Sequence, residues 1–268
     1  MLKTERLEKI LAKIQEEHTI SIGDLSAYFD VSEITIRRDL DDLYDMGKIM
    51  RVRGGAQRIG PNSPEPPVIH RQVEQVAEKE AIARKALEFI SDGETIALES
   101  GSTTLALARA LAVQKWQILQ VVTNSVPILN LLVQVPGICV TFIGGFVDPN
   151  ELCTYGTLTE EALSRLHTQK LFCGCRGLDP KFGRSNEIQT GIEIGTVRAF
   201  VASSSQVFVL ADHTKFGKIF SLQLLTTSEI DTLITTEMAP QNSLEEIQKQ
   251  GVRIVKASVP RLEPEETP

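Results

Sequence analysis

Apolar and polar positions follow two different patterns along this chain, which predicts two domains. In the first part, apolar residues recur three or four positions apart, at Leu7, Ile10, Leu11 and Ile14. That spacing places them on one face of an amphipathic helix over residues 4–17. Residues 19–22 are mostly β-branched and predict a short strand. Residues 23–29 predict a second helix with Leu25 and Phe29 on one face.

A third helix is predicted over residues 33–43, after a turn in which Ser32 is suited to cap the helix N-terminus. Its apolar side chains form an inward face, at Ile36, Leu40 and Leu43. Thr35, Arg37 and Arg38 cannot share that face and point outward. Short polar and guanidinium side chains near a helix N-terminus suit a helix that reads the DNA major groove. We therefore expect DNA contacts from Ser32, Thr35, Arg37 and Arg38.

A basic hairpin is predicted directly after this helix. Residues 48–56 alternate basic and apolar side chains and contain two consecutive glycines, which is typical of the wing of a winged helix-turn-helix domain. Residues 46–58 hold four Lys and Arg and no acidic residue, whereas residues 1–58 together hold 10 Lys and Arg against 11 Asp and Glu. The positive charge is concentrated where phosphates would lie, which predicts backbone contacts from Lys48, Arg51 and Arg53.

The predicted winged helix-turn-helix domain covers residues 1–58, and a proline-rich linker is predicted over 59–75. Residues 60–67 contain four prolines, a composition that favours extended chain. A charged helical pattern follows from about residue 68 to residue 90. Residues 259–268 are acidic and rich in proline, so we expect a disordered tail there.

From residue 95 onward, short apolar strands alternate with helices. The predicted strands cover residues 95–98, 118–123, 139–143, 171–175, 207–211, 232–235 and 253–255. Helices are predicted between most of them, at 104–113, 126–134, 160–166, 193–203 and 244–250. This alternation predicts a mostly parallel, doubly wound sheet that is buried on both faces. The fold class is therefore α/β, with a Rossmann-like domain over residues 76–258.

Composition and charge narrow the class of protein further. Hydrophobic residues make up 42% of the 268 residues and charged residues 24%, which is ordinary globular composition. Charges interrupt the first ten positions, and no apolar stretch approaches the roughly 20 residues of a membrane span. We expect neither a signal peptide nor a membrane segment, and a cytoplasmic location. The net charge of −7 is acidic for a DNA-binding protein. Whether the chain can bind DNA therefore depends on where its basic residues are concentrated, not on its net charge.

The cysteines are few and unevenly spaced, at Cys139, Cys153, Cys173 and Cys175. This spacing is not that of a disulfide framework, and the Cys173–Cys175 pair has no second Cys or His pair at the spacing of a zinc site. We interpret the four as small apolar residues in or beside strands, and we expect no metal or cofactor.

The third helix and the wing carry a recognisable motif. Residues 31–40 read VSEITIRRDL and residues 51–56 read RVRGGA, and the pattern resembles that of the DeoR family of bacterial transcription regulators. The resemblance continues to about residue 235. It implies a second domain that senses a sugar phosphate and is similar in fold to ribose-5-phosphate isomerase and glucosamine-6-phosphate deaminase. It also implies a homodimer or homotetramer on double-stranded operator DNA, more often a repressor than an activator.

A phosphate cradle is predicted in residues 99–104, between an apolar strand and a helix. Small residues there expose backbone N–H groups at the helix N-terminus, and three hydroxyls add donors. Polar clusters also follow three other strands, and the carboxyl ends of parallel strands converge on one crevice. The predicted effector-binding residues are Glu99, Ser100, Gly101, Ser102, Thr103, Thr104, Thr123, Asn124, Gly144, Gly145, Asp212 and Lys215.

Within this site, Lys215 is expected to meet the phosphate, and Asn124 and Asp212 to hold sugar hydroxyls. For any single residue, a role in a turn or helix cap is an equally good interpretation. Glu99 stands where the DeoR family usually has Asp, and Arg176 where it usually has a small or amide residue. An additional arginine favours a second phosphate or a carboxylate on the effector. Residues 180–193 match the family loosely.

Functions from different classes fit these features. The leading hypothesis is a non-enzymatic repressor of a carbohydrate operon that a phosphorylated sugar releases from its operator. An alternative is a sugar-phosphate isomerase or deaminase with an appended DNA-binding domain, in which Glu99 or Asp179 would act as general base. Similarity of fold to enzymes does not by itself indicate activity. An activator with the same machinery is a third possibility.

Overall fold

The computed structural model describes residues 1–59, 66–187 and 194–260. The chain divides into two compact units, Met1–Glu74 and Gln75–Pro268. Parts of the predicted linker, of the loosely matching stretch and of the predicted tail (60–65, 188–193 and 261–268) lie outside the described residues.

The first unit is a winged helix-turn-helix domain, as predicted. Its elements in chain order are α1 (Lys3–Glu17), β1 (Thr19–Ser21), α2 (Ile22–Phe29), α3 (Glu33–Asp45), β2 (Ile49–Val52), β3 (Gly55–Arg58) and α4 (Val68–Arg71). The wing hairpin β2–β3 is antiparallel, and β1 adds to it on the far side of β3, which gives the strand order β1-β3-β2.

A small apolar core holds this unit together. The fully or almost fully buried members come from all three long helices and from the sheet: Ile10, Ile14, Ile20, Ile22, Leu25, Ile36, Leu40, Leu43, Ile49 and Ala56. Gly55 allows the close packing of β3 against β1, because a Cβ at this position would lie 2.2 Å from the Ile20 carbonyl oxygen. The sequence pattern therefore identified the inward faces of the helices correctly.

The segment after the wing differs from the continuous helix that the charge pattern predicts over residues 68–90. Helix α4 ends at Arg71, and Gln75 adopts a left-handed backbone conformation, φ 47°, before the next helix begins. Val68 and His70 are buried, and the His70 ring lies edge-on to the Tyr44 ring, with 4.7 Å between the ring centroids. Burial of these side chains accounts for the short helix within the predicted linker.

The second unit contains a seven-stranded parallel sheet flanked by helices. Its elements are α5 (Val76–Leu87), β4 (Thr95–Leu98), α6 (Ser102–Ala112), β5 (Leu119–Thr123), α7 (Val126–Leu132), β6 (Ile138–Phe142), β7 (Phe146–Asp148), β8 (Cys153–Tyr155), α8 (Thr157–Leu163), β9 (Thr168–Gly174), β10 (Gly177–Asp179), β11 (Gly183–Asn186), α9 (Ile194–Ala202), β12 (Ser204–Leu210), β13 (Leu222–Leu225), β14 (Thr232–Thr236), α10 (Gln241–Gln248) and β15 (Arg253–Ala257).

The sheet has the strand order β15-β14-β12-β9-β4-β5-β6, and all its pairings are parallel. Successive residues of a strand face opposite sides, so the sheet separates two apolar cores. Leu98 and Phe172 belong to the core that also contains side chains of α5, α6 and α7. Ala97 and Leu171 belong to the core that contains side chains of α8, α9 and α10. This burial on both faces explains why strands such as β4, β9 and β12 contain runs of consecutive apolar residues rather than alternating ones.

Two small antiparallel sheets were not predicted. Strands β7 and β8 form a hairpin, and β10, β11 and β13 form a three-stranded sheet in the order β10-β11-β13. β11 has the sequence GRSN and lacks any hydrophobic alternation. Its partner β13 lies far along the chain, so no local turn signal marks the pairing.

Among the described residues, none of the helices has both the length and the apolar character that a membrane crossing requires.

Candidate DNA-binding surface and effector site

The outer face of α3 presents polar and cationic side chains to solvent. The Ser32 hydroxyl accepts a hydrogen bond from the Thr35 backbone N–H at 3.3 Å, which confirms the predicted N-cap. Arg37 forms an exposed ion pair with Glu33, one turn earlier, at 3.2 Å. Within the part of the chain that the structure describes, the Arg38 side chain has no hydrogen-bond or ion-pair partner. This guanidinium group is therefore available to a molecule outside the chain.

Two further residues of α3 were not identified from the sequence. Ile34 is 65% exposed although it is large and apolar, and it shares the outer face with Arg37 and Arg38. Asp39 is buried, and its Oδ1 accepts a hydrogen bond from Arg6 Nη2 of α1 at 3.0 Å. This hydrogen bond raises the pKa of Arg6 above its ordinary value. Asp39 therefore fixes α3 on α1, whereas Ile34 belongs to the surface that faces outward.

The wing supplies two unpaired cations and one that is held by α3. Lys48 and Arg53 are exposed and make no ion pair with any described residue. Arg51 lies 3.5 Å from the Asp41 carboxylate of α3. Since Asp41 also lies on α3, this contact ties the wing to the helix that carries Arg37 and Arg38.

In the second unit, the predicted effector-binding residues lie at the carboxyl ends of neighbouring parallel strands. Glu99 follows β4, Asn124 follows β5, Gly144 lies just beyond β6, and Asp212 lies just beyond β12. In the sheet these strands are consecutive apart from β9, which lies between β12 and β4. The fold therefore brings these polar clusters to one edge of the sheet, where open α/β sheets bind ligands.

The N-terminus of α6 has the features of an anion site. Gly101 at the N-cap position provides no side-chain cap, so the first N–H groups of the helix remain available. Ser102 and Thr103 are largely buried, and their hydroxyls have no hydrogen-bond partner among the described residues. The Thr104 hydroxyl is already used, because it donates to the Gly101 carbonyl at 2.9 Å. Two hydroxyls and the free backbone donors thus suit a phosphate group.

Thr123 and Asn124 hold the strands of this edge in place. The Thr123 hydroxyl donates to the Leu98 carbonyl at 2.7 Å, and so joins β5 to β4. Asn124 Oδ1 accepts from the Ser100 backbone N–H at 3.1 Å, and its Nδ2 donates to the Thr154 carbonyl at 2.8 Å. The predicted contact of Asn124 with sugar hydroxyls stays a prediction, and the amide already positions the turn that precedes α6.

The Gly144–Gly145 pair lies where backbone and helix come close. The Gly144 carbonyl accepts a hydrogen bond from the Thr159 hydroxyl at 2.9 Å. A Cβ at Gly145 would lie 2.1 Å from the same hydroxyl oxygen, so a side chain cannot be accommodated without a shift. Gly145 therefore has a packing role, whereas a Cβ at Gly144 would meet no atom within 4 Å, and the contact of either glycine with an effector stays a prediction.

Glu99 is one half of a buried ion pair that the sequence did not reveal. Arg184 of β11 is 6% exposed, and its Nη2 lies 3.0 and 2.9 Å from the two Glu99 oxygens. The Arg184 Nε and Nη1 atoms are buried and have no hydrogen-bond partner among the described residues. Burial raises the pKa of the neighbouring Cys173 thiol to about 12, against the opposing influence of Arg184. The environment of this pair is thus strongly dehydrated.

Asp212 belongs to a second buried polar cluster, with Glu78 of α5 and His213. Glu78 Oε1 lies 2.5 Å from His213 Nδ1, and Oε2 accepts from the Thr236 hydroxyl at 2.5 Å. Asp212 Oδ1 caps the short 3-10 helix His213–Lys215 by accepting from the Thr214 N–H at 2.9 Å. The ligand atoms of Glu78, Asp212 and His213 lie within 4.8 Å of one another. The Glu78–His213 hydrogen bond accounts for that proximity.

Lys215 ends this 3-10 helix and is partly exposed. Its ammonium group has no ion-pair or hydrogen-bond partner among the described residues, unlike the buried cation Arg184. An unpaired cation at the end of the sheet attracts a phosphate group more strongly than a neutralised pair does. This arrangement suits the predicted role of Lys215.

Two residues discussed from the sequence have other contacts. Arg176 forms an ion pair with Glu187 at 2.8 Å and lies over the Phe220 ring at 4.6 Å, so its charge is compensated within the chain. Asp179 Oδ1 accepts from the backbone N–H groups of Lys181 and Phe182, at 2.9 and 3.0 Å. Asp179 therefore shapes a turn, and Glu99 is held by Arg184, so neither carboxylate is a free general base.

A cavity of about 490 Å³ is lined by residues of β6 and α8 and by residues that follow each of them. Of the predicted effector-binding residues only Gly144 lines it, together with Thr141, Phe142, Ile143, Leu158, Glu161, Ala162, Arg165 and Leu166. None of the predicted phosphate donors Ser102, Thr103, Thr104 and Lys215 lines this cavity.

Comparison with known proteins agrees with this architecture. Residues 6–62 match the family model of the DeoR-like helix-turn-helix domain, and residues 74–237 match the DeoR C terminal sensor domain. The HTH-type transcriptional regulator GolR of Listeria innocua is 30% identical over 256 residues, which cover 95% of this chain and 98% of that protein. The transcriptional repressor AccR of Agrobacterium fabrum is 30% identical over 91% of this chain and 93% of that protein.

The glycerol-3-phosphate regulon repressor of Escherichia coli (strain K12) is 29% identical over 95% of this chain and 99% of that protein. Among solved structures, ribose 5 phosphate isomerase A from Neisseria gonorrhoeae aligns with 52% of each chain at a TM-score of 0.37 and 18% identity. The two domain matches and the similarity along nearly the whole chain show that this protein belongs to the DeoR family of transcription regulators.

Proposed function

We propose that this protein represses a carbohydrate-metabolism operon and leaves its operator when a phosphorylated sugar binds at the carboxyl edge of the parallel sheet. The observation that carries the proposal is the uncapped N-terminus of α6, where the Ser102 and Thr103 hydroxyls have no partner among the described residues. The unpaired Lys215 lies at the same edge of the sheet and supplies the positive charge that a phosphate dianion requires. The relatives' names support repression, since one is a transcriptional repressor and another represses a glycerol-3-phosphate regulon.

On the DNA side, α3 reads base edges and the wing contacts phosphates. Arg38 has no partner among the described residues, and a guanidinium group pairs with guanine in the major groove through two hydrogen bonds. Ile34 suits a thymine methyl group, because its exposed apolar side chain shares the outer face of α3. Lys48 and Arg53 neutralise backbone phosphates, which predicts a strong salt dependence of binding.

The Glu78–His213 pair links the proposed effector site to the first turn of α5, near the start of the second unit. His213 lies between Asp212 and Lys215, and Glu78 is four residues beyond the boundary between the units. An effector that draws Lys215 and the 3-10 helix toward its phosphate also acts on His213, and through Glu78 on the first turn of α5. If one conformation of this turn favours DNA binding, a ligand that prefers the other shifts the population. The active form on palindromic or repeated sites is a homodimer or homotetramer, since paired half-sites need paired recognition helices.

A thermal-shift screen tests the sensor function directly. Pentose and hexose phosphates are compared with the matching free sugars and with inorganic phosphate. A ligand present at a hundredfold excess over its Kd stabilises the native state by about 2.7 kcal/mol, which gives a clear shift of Tm. We expect one or more sugar phosphates to raise the Tm of the wild type while their free sugars do not. If no phosphorylated sugar shifts the Tm, the proposed sensor function is wrong.

The enzymatic alternative is not favoured. Glu99 is bound to Arg184 and Asp179 is used in a turn, so neither is placed as a general base. The relatives are named as transcriptional regulators and repressors. We expect the purified protein to show no isomerisation or deamination of the phosphates that it binds.

A further inference from the structure

Buried polar atoms without a hydrogen-bond partner gather near one edge of the second unit. Among the described residues they include Nε and Nη1 of Arg184, Oδ2 of Asp212 and Oγ1 of Thr235. Asp212 follows β12, Thr235 lies near the end of β14, and Arg184 reaches Glu99 at the end of β4. A buried polar atom without a partner destabilises the folded protein, so such atoms are rare unless another molecule satisfies them. Their position coincides with the edge at which the effector is proposed to bind.

The two cations of this edge differ in how their charge is compensated. Arg184 is buried against Glu99, so the pair carries no net charge, but the N–H groups of two Arg184 nitrogens, Nε and Nη1, have no partner among the described residues. Lys215 has no partner among the described residues and keeps its full positive charge. A phosphate dianion gains most at an uncompensated cation, and it would be repelled by the Glu99 carboxylate. The pair is therefore suited to a neutral group that accepts and donates hydrogen bonds.

We propose that Arg184, together with Glu99, binds the hydroxyl groups of a sugar phosphate, whereas Ser102, Thr103 and Lys215 bind its phosphate. The proposal rests on the proposed sensor function and adds to it the group that recognises the sugar. A hydroxyl oxygen accepts a hydrogen bond from Arg184 Nε or Nη1, and the same hydroxyl donates a hydrogen bond to a Glu99 carboxylate oxygen. Asp212 Oδ2 offers a further acceptor to a neighbouring hydroxyl. The effector is then a polyhydroxylated phosphate monoester with its hydroxyls at the Glu99 end of the edge.

A site built to hydrogen-bond a hydroxyl discriminates strongly against the analogue that lacks it, because its buried polar groups are left unpaired. The specificity of the sensor for one sugar over another would thus come from the Glu99–Arg184 pair. The phosphate end, in contrast, would accept any phosphate monoester that reaches the N-terminus of α6.

Isothermal titration calorimetry with the full chain tests this division of roles. The tightest sugar phosphate of the panel is compared with its monodeoxy analogues, position by position, and with inorganic phosphate. The variant is Glu99→Met/Arg184→Met, in which apolar side chains replace both members of the pair, because removing one member alone leaves a buried charge. Lys215→Ala serves as the matched variant for the phosphate end, and circular dichroism verifies that each variant is folded.

We expect the wild type to bind at least one deoxy analogue about tenfold more weakly than the parent sugar phosphate, a difference of about 1.4 kcal/mol. The double variant should bind parent and analogue equally, and its affinity for inorganic phosphate should equal that of the wild type. Lys215→Ala should weaken every phosphate and keep the preference for the parent.

The proposal is overturned if the double variant keeps the wild-type preference for the parent, or if it loses affinity for inorganic phosphate as Lys215→Ala does. An unfolded double variant is replaced by Glu99→Gln/Arg184→Gln, which leaves no buried charge and should show the same loss of discrimination. If the wild type binds no sugar phosphate at all, the sensor function itself fails. Binding with unchanged discrimination refutes only the role of Arg184.

Discussion

The two units of this protein place their functional polar groups in opposite environments. The first unit has a small apolar core. On its surface, Arg38, Lys48 and Arg53 are exposed and have no ion-pair partner among the described residues. In the second unit, Glu99, Arg184 and Asp212 are at least nine-tenths buried, and several of their polar atoms lack partners. A surface that binds DNA uses hydrated cations, which cost the fold little. A sensor that encloses a small molecule buries its polar groups. Those without a hydrogen-bond partner lower the stability of the fold until the ligand binds.

The largest effect that this comparison predicts is on stability. Arg184→Met leaves the Glu99 carboxylate buried without its partner, which should lower the free energy of unfolding by about 3–5 kcal/mol. Arg38→Met removes an exposed cation of the first unit and should change the free energy of unfolding by less than about 0.5 kcal/mol. Urea unfolding, monitored by circular dichroism, measures the free energy of unfolding of both variants. Equal effects of the two substitutions would contradict the contrast between the units.

A second prediction concerns DNA binding, for which the exposed Arg38 of the first unit is expected to be important. Arg38→Ala should weaken binding to the specific operator by about 10–100-fold, since a bidentate contact with guanine contributes about 1–3 kcal/mol. Arg84→Ala, at an exposed arginine of the second unit, serves as the control and should leave the affinity unchanged. Fluorescence anisotropy with a selected operator duplex and with random duplex DNA gives both affinities. If Arg38→Ala keeps the wild-type ratio of specific to random affinity, Arg38 does not read bases.

The third prediction separates binding of the effector from binding of DNA. Lys215→Ala should weaken the affinity for a sugar phosphate by about tenfold or more, as expected for a charge-assisted hydrogen bond of about 1.5–3 kcal/mol. Its affinity for the operator without effector should equal that of the wild type. Lys249→Ala, at an exposed position on another part of the second unit, should change neither. A loss of DNA affinity in Lys215→Ala alone would show that this residue supports the fold instead.

The smallest predicted effect is a pH dependence of the second unit. Burial acts to raise the pKa of Glu229, but hydrogen bonds from Thr226 and the charge of Arg198 outweigh it and hold the pKa below its ordinary value. The stabilisation is therefore present above the pKa of an unfolded Glu and is lost as the pH falls through the lower, folded value. Glu229→Gln keeps an oxygen that accepts from Thr226 and removes only the charge, so it should reduce stability by about 0.2–1 kcal/mol at pH 7 and have little effect at pH 3. Equal destabilisation at both pH values would show that the charge of Glu229 is not involved.

The sequence revealed more of the first unit than of the second. Helical spacing, the Ser32 cap and the double glycine are local signals, and the structure confirms the helices and the wing that they predict. The parallel strands were also recognisable, because burial on both faces gives them runs of consecutive apolar residues. The pairing of β11 with β13 and the Arg184–Glu99 ion pair join residues far apart in sequence. No periodicity records such contacts, so Arg184 was missed and Arg176 was considered in its place.

The measurement that tests the central claim most directly is the release of DNA by a phosphorylated sugar. A labelled operator duplex, selected by the protein from a random library, is held at half saturation and titrated with sugar phosphates and with the matching free sugars. We predict that at least one sugar phosphate lowers the anisotropy to that of free DNA, that its free sugar does not, and that Lys215→Ala requires a higher concentration for the same release. If every sugar phosphate leaves the operator bound, or if the free sugar releases it equally well, the sensor does not recognise a phosphorylated sugar as described.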